Sequence, residues 1–238
     1  MTEAVAGEAF LCAYDAVRST RWPSGTQGVA VPTPFGTTHV NSHGPADAPA
    51  VVLLHGGGGV TSTVWGATAS TLGGTYRVHA IDTMGEAGRS IPGDRRITTL
   101  DDQLAWLDAV LDGLGAKGPV AICGHSYGAW TAAHYALRAP DRVAALILIE
   151  PTHCFTGFSP LYLARALPML LRPTVRNRRA FLAWETGGAK LDPNWTRLYE
   201  LATTFPAAKP LTGPRPAPAH WPALRADTLL VLAGRTRT

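Results

Sequence analysis

The chain alternates short apolar runs with stretches in which apolar residues recur every three or four positions. Ala50-Val51-Val52-Leu53-Leu54 is continuously apolar, and His55 then leads into four glycines. Related runs recur at Tyr76–Ile81, Val120–Cys123, Val143–Ile149 and Thr228–Leu232. Runs of this kind suit strands buried on both faces of a parallel sheet. The clearest helical pattern is Leu100, Leu104, Leu107, Val110, Leu111 and Leu114, one apolar stripe. Thr99 with Asp102 resembles a capping box at its start, and Gly115 supplies the stop. Ala4, Phe10, Leu11, Tyr14 and Val17 share one face over residues 3–18. They predict an N-terminal helical arm (1–22) packed on the main domain. Val29 to Val31 and Thr38 to Asn41 flank Gly36 and predict a hairpin. Strands alternating with helices predict an α/β fold, a mostly parallel doubly wound sheet with right-handed crossovers.

Residues 151–226 break that rhythm. Eleven of the nineteen prolines fall there, so no long sheet element can run through. Short amphipathic pieces remain at Leu161–Leu171, Arg179–Trp184 and Trp195–Leu201. The segment reads as a helical cap inserted between two strands, with Pro206–Pro222 as its return linker. The domain reading is therefore a core of 1–150 and 227–238, interrupted by a cap of 151–226.

Composition narrows the function classes. An apolar fraction of 46% in 238 residues is enough for a substantial core. No stretch of about 18 apolar residues suggests a membrane span, and the first twenty residues lack a secretory-signal pattern. Cys12, Cys123 and Cys154 are odd in number without a Cys-x-x-Cys, which predicts free thiols in a cytoplasmic protein. The net charge of +4 gathers locally at Arg172, Arg176, Arg178 and Arg179. That is too few cations for a nucleic-acid face, and reads as a solvated surface or a site for an anionic partner. No nucleic acid and no membrane are expected as partners.

The chemistry sits at strand ends. Cys123-Gly124-His125-Ser126-Tyr127-Gly128-Ala129 joins an apolar run to a small-residue helical pattern. Strand, Gly-x-Ser-x-Gly, helix is the setting of a nucleophile elbow. Ser126 is the candidate nucleophile, and the N–H of Tyr127 is a candidate oxyanion donor. Two further signatures precede it in order, His55-Gly56-Gly57-Gly58-Gly59 and Asp82-Thr83-Met84-Gly85-Glu86-Ala87-Gly88-Arg89-Ser90. The glycine run lacks the Lys-Ser/Thr of a phosphate loop, and its spacing fails the dinucleotide fingerprint. Asp82 reads as a loop anchor. His39 and His43 lie in a strand and turn, a weak setting for a metal pair. Cys123 reads as a core residue.

Together the three signatures resemble the α/β-hydrolase superfamily, specifically its capped serine esterase and C–C hydrolase-like branch. The resemblance runs from about Val29 to Gly234. It implies a second oxyanion donor at Gly57 and no cofactor. It also implies an acid after the penultimate strand and a base after a last strand. This sequence reads Arg235-Thr236-Arg237-Thr238 at the first place, and no histidine follows His220. The expectation is a sheet truncated after its penultimate strand. Glu150, at the end of the preceding strand, is the alternative acid or a structural strand-end carboxylate. His153 is the best surrogate base, ahead of His55, His125 and His220. The expected function is hydrolysis of an ester or similar small apolar acyl substrate through an acyl-enzyme, impaired by the absent histidine segment. The alternative is an inactive fragment or small-molecule-binding protein on the same fold. Oligomeric state is not legible.

Overall fold

The computed structural model describes residues 3–116, 118–208 and 211–234, with side chains from Ala6 onward. The reading of Arg235–Thr238 and the side chain of Ala4 lie outside the described residues.

The sheet begins as a hairpin. β1 (Gln27–Thr33) and β2 (Gly36–His43) pair antiparallel, with Val29 opposite Val40. Gly36 turns at φ 124°. A Cβ there would meet the Ile91 carbonyl of the short β5 (Ile91–Pro92), which pairs with Gly36 and Thr37. β2 pairs antiparallel with β4 (Arg77–Ile81). From β4 the sheet is parallel, through β3 (Ala50–Leu54), β6 (Val120–His125), β7 (Val143–Ile149) and β8 (Asp227–Val231). The order is β1-β2-β4-β3-β6-β7-β8. The chain steps from β3 outward to β4, then crosses back to β6 and on to β7 and β8. Strand order thus reverses between β3 and β6. The crevice outside their carboxyl ends is where such a sheet receives a ligand.

In the central strands the apolar runs are explained by burial on both faces. The run Thr228–Leu232 departs from that expectation, because β8 has a strand neighbour only at β7 among the described residues and is exposed. In β3, Val52 and Leu54 pack with Ile122, Leu146, Leu104, Leu107 and Leu111 on one side. Val51 and Leu53 pack with Val78, Ala80, Cys123, Trp65 and Ala69 on the other. The period-2 alternation of side chains therefore meets apolar partners at every position. Truncating a central residue such as Leu53, which is fully buried, would cost about 2–5 kcal/mol.

Helices cover both faces. α1 (Glu3–Arg21) buries Phe10, Tyr14 and Val17. A short helix, α2 (Gly66–Leu72), follows a 3₁₀ turn at Ser62–Trp65. α3 (Leu100–Gly113) carries the full capping box between Thr99 and Asp102. α4 (Tyr127–Arg138) turns Gly128, Ala129, Ala132, Ala133 and Ala136 inward, which lets it lie close to the sheet. Between β7 and β8 lie α5 (Pro160–Leu171), α6 (Val175–Glu185) and α7 (Pro193–Leu201), capped by Ser159, Thr174 and Asp192. The N-terminal helix packs on α7 as well as on the core: Phe10, Tyr14 and Val17 share a cluster with Ala87, Leu198 and Ala202. The return segment crosses α4, where the Pro214 carbonyl accepts from Trp130 Nε1 and His134 Nε2, each at 3.0 Å. β8 is exposed along its length, including Leu229, Leu230 and Val231.

Candidate active site

The link from β6 to α4 is a sharp turn made at a single residue. Ser126 sits at φ 52°, ψ −113°. Serine adopts this conformation only where the surrounding structure over-determines it. Two glycines make it feasible. A Cβ on Gly124 would lie 2.3 Å from the Gly128 carbonyl oxygen, and one on Gly128 would lie 2.3 Å from the Leu54 oxygen. Ser126 N–H donates to the Ile149 carbonyl at 3.0 Å, which pins the turn to β7. Three described non-glycine residues have positive φ: Ser126, Glu150 and His153. Backbone strain in the described chain is therefore concentrated around the candidate nucleophile and the loop beside it.

That loop supplies the serine's partner. Ser126 Oγ and Thr152 Oγ1 are 2.8 Å apart. Thr152 Oγ1 also donates to the Glu150 carbonyl at a long 3.4 Å, which leaves Thr152 to accept from Ser126. No histidine among the described residues hydrogen-bonds Ser126. His153 follows directly, its ring stacked on Phe158 at 5.4 Å and its Nδ1 buried without a hydrogen-bond partner among the described residues. His125 lies against Gly56, where a Cβ would come 3.0 Å from its Nδ1. Burial lowers the His125 pKa, the Glu150 carboxylate opposes that, and His55 adds to it. The Glu150 carboxylate accepts from Ala233 N–H, tying the end of β7 to the turn after β8.

The loop after β3 faces the elbow. Gly57 lies beside Tyr127, where a Cβ would come 3.4 Å from Tyr127 Cβ. Tyr127 is the first residue of α4, so its N–H has no partner within the helix. His55 is fully buried and locked. Its Nδ1–H donates to the Gly56 carbonyl at 2.7 Å, and Nε2 accepts from Thr83 N–H at 3.1 Å. With both ring nitrogens engaged, His55 anchors two loops and has none free for Ser126. Asp82 is likewise an anchor: its carboxylate accepts from the N–H groups of Ser62 and Arg89, each at 2.9 Å.

Glu86 is a buried carboxylate behind the glycine loop. Burial raises its pKa. His55, the Gly58 and Gly59 amides and Arg178 oppose the rise. Its Oε1 has no hydrogen-bond partner among the described residues. Arg178, from α6, reaches over Gly59, where any Cβ would meet its Nη1, and donates to the Tyr199 carbonyl at 3.1 Å. Glu86 and Tyr127 also line a cavity of 320 Å³ with Phe35, Met84 and Leu211.

Other candidates separate. His39 approaches Asn41 and His43 approaches Thr26, at 3.4 and 3.3 Å. No group of three or more potential metal ligands occurs among the described residues. Cys123 is buried on the sheet, its thiol pushed up to about 11 by burial. The cysteines Cys12, Cys123 and Cys154 are free thiols. No described helix is long and apolar enough to cross a membrane. Thr152 carried no motif signal, and Glu86 in the Asp82–Ser90 signature and Arg178 in the arginine cluster were not distinguished from their neighbours. Their places follow from strands and helices far apart in sequence.

A family profile described as alpha/beta hydrolase fold matches residues 49–199. This chain belongs to that family. It is 33% identical over 181 residues to carboxylesterase YbfK of Bacillus subtilis, covering 76% of this chain and 59% of that protein. It is 31% identical over 192 residues to the uncharacterized carboxylesterase nap of the same organism, covering 73% and 63%. The chain thus spans about three-fifths of these curated relatives. The crystal structure of naproxen esterase (carboxylesterase NP) from B. subtilis superposes with a TM-score of 0.85 at 27% identity, covering 94% of this chain and 79% of that one.

Proposed function

We propose that this protein is a carboxylesterase-type serine hydrolase in which Ser126 attacks the ester carbonyl. The observation that carries the reading is the strained Ser126 turn at the switch point of the sheet, with the Gly57 loop against Tyr127. In this scheme Ser126 Oγ bonds to the carbonyl carbon and loses its proton to a base. The N–H groups of Tyr127 and Gly57 stabilise the oxyanion. The alcohol leaves with a proton, and water then releases the acid from the acyl-enzyme. Each oxyanion donor is expected to contribute about 3–4 kcal/mol.

The helices between β7 and β8 act in this scheme as a cap over the serine. An aromatic series runs from the site loop into them: His153, Phe158 and Tyr162 stack at 5.4 and 5.5 Å, and Tyr162 meets Phe181 edge-on at 5.4 Å. Such a wall favours a small apolar acyl or aryl group. Glu150 is the acid candidate, with the anchoring of the turn after β8 as its rival role. His153 is the base candidate within the described residues, because its Nδ1 is buried and unpartnered beside Thr152.

One observation favours a second reading, a ligand-binding protein with little turnover. Resting Ser126 is paired with a hydroxyl, not an imidazole, and an unactivated serine is a weak nucleophile. A short-chain aryl ester separates the two. Turnover that disappears in Ser126→Ala supports the hydrolase. Saturable binding with no Ser126-dependent turnover sinks it.

A further inference from the structure

α5 is built as though something lies against it. Its sequence is Pro-Leu-Tyr-Leu-Ala-Arg-Ala-Leu-Pro-Met-Leu-Leu, twelve residues with one charge. Tyr162, Ala166 and Met169 form its inner face, and Tyr162 meets Phe181 and Trp184 of α6. The outer face carries Leu163, Leu167, Leu170 and Leu171, which are 48%, 50%, 64% and 72% exposed. Four leucines on one helix face form a contiguous apolar patch, which a soluble surface rarely leaves open without a use.

The charge around the patch points to its occupant. From Pro151 to Trp184 the sequence contains five arginines and no acidic residue. Two of the arginines are engaged. Arg178 turns inward to Tyr199, and Arg179 pairs with Glu200. Arg172 and Arg176 are exposed and have no ion pair among the described residues, and Arg165 is exposed beside Trp184. The acids on the helices packed behind the patch are engaged: Glu185 of α6 accepts from Tyr162, and Glu200 of α7 pairs with Arg179. An apolar face rimmed by unpaired cations is complementary to a surface that is negative outside and hydrocarbon beneath. A second copy of the chain would bring the same cations face to face.

We propose that the outer face of α5, with Arg172 and Arg176, docks on an anionic lipid surface. The helix is about 18 Å long at 1.5 Å per residue, against a hydrocarbon core of about 30 Å. It therefore lies in the interface with its leucines immersed, and does not span. Docking there would bring the segment between β7 and β8 to the bilayer, where apolar esters concentrate.

The test is co-sedimentation of the full chain with phosphatidylcholine vesicles, with and without phosphatidylglycerol. The expected result is binding to the anionic vesicles only, falling as salt rises. Leu167→Asp and Leu170→Asp should each weaken it roughly tenfold. Arg172→Gln and Arg176→Gln should each weaken it roughly fivefold. These side chains are exposed, so the melting curves of the variants should match the parent. No binding, or equal binding to both vesicle types, overturns the proposal. So does self-association in solution that Leu167→Asp abolishes, which would assign the face to a second copy. The readout is independent of turnover at Ser126, so it stands or falls apart from the hydrolase reading.

Discussion

In the proposed hydrolase scheme, the hydrogen bond between Ser126 and Thr152 holds the nucleophile back. The bond at 2.8 Å exists in the resting site. In the transition state of acylation the serine proton must pass to a base, and a threonine hydroxyl is not one. An interaction made in the ground state and lost in the transition state slows the step. A neutral hydrogen bond of this kind contributes about 0.5–1.5 kcal/mol. Thr152→Val should therefore speed labelling of Ser126 by a fluorophosphonate by roughly twofold to tenfold, while Thr152→Ser should behave like the parent. Slower labelling of the valine variant would mean that Thr152 orients the serine for attack. Glu150 poses a similar choice between proton chemistry and anchoring. Its carboxylate already serves Ala233, so Glu150→Gln should loosen the turn after β8 whatever it does to turnover.

At the level of elements, α3 shows how much of this fold is written locally. Thr99 accepts from Asp102 N–H, and the Asp102 carboxylate accepts from Thr99 N–H in return. Arg95 pairs with the same carboxylate. Behind the cap, Leu104, Leu107, Val110 and Leu111 are buried on the sheet. Thr99→Ala should lower unfolding free energy in urea by about 1 kcal/mol without touching the site. The elbow is a different sort of element. Its glycines are needed by contacts with β3 and α4, so Gly128→Ala is expected to displace Ser126 or prevent folding, where a surface Gly→Ala would be mild. α2 escaped the sequence reading because Gly66-Ala-Thr-Ala-Ser-Thr-Leu has no apolar stripe. It is helical because Ala69 and the preceding Trp65 fit the second face of the sheet. β5 escaped because two residues carry no period.

At the scale of the whole molecule, buried imidazoles tie the fold to pH. His79 of β4 is 7% exposed and hydrogen-bonded through Nδ1 to Ser42 Oγ at 2.8 Å. Burial, aided by Arg77, pushes its pKa down from 6.5 to about 4. The unfolded chain then binds a proton that the folded chain refuses. Stability is fully present above pH 6.5 and is lost as pH falls towards 4. The limit is roughly 3 kcal/mol at 1.4 kcal/mol per unit. Thermal melts from pH 7 to pH 4 should show this decline, and His79→Gln should flatten it. An equal decline in the variant would place the acid sensitivity elsewhere. Glu86 acts in the opposite sense. Its raised pKa means that ionising it costs stability as pH rises above the ordinary carboxylate range.

The sequence by itself determined the strands other than β5, the order of the loops and the place of the elbow. These rest on short-range physics. A strand buried on both faces must be apolar throughout, a helix start needs a cap, and a tight turn needs glycine where a side chain would collide. The same locality made Asp82 and Cys123 readable, one as an anchor and the other as core. The tertiary structure alone decided what faces what. Thr152 reached Ser126 because β7 lies beside β6. Arg178 reached Gly59 because α6 folds back over the β3 loop. His55 was spent on Gly56 and Thr83. Four arginines that look alike in sequence were divided into one turned inward, one paired and two left outward. None of this has a sequence period, because each partner is fixed by the path of the chain through space.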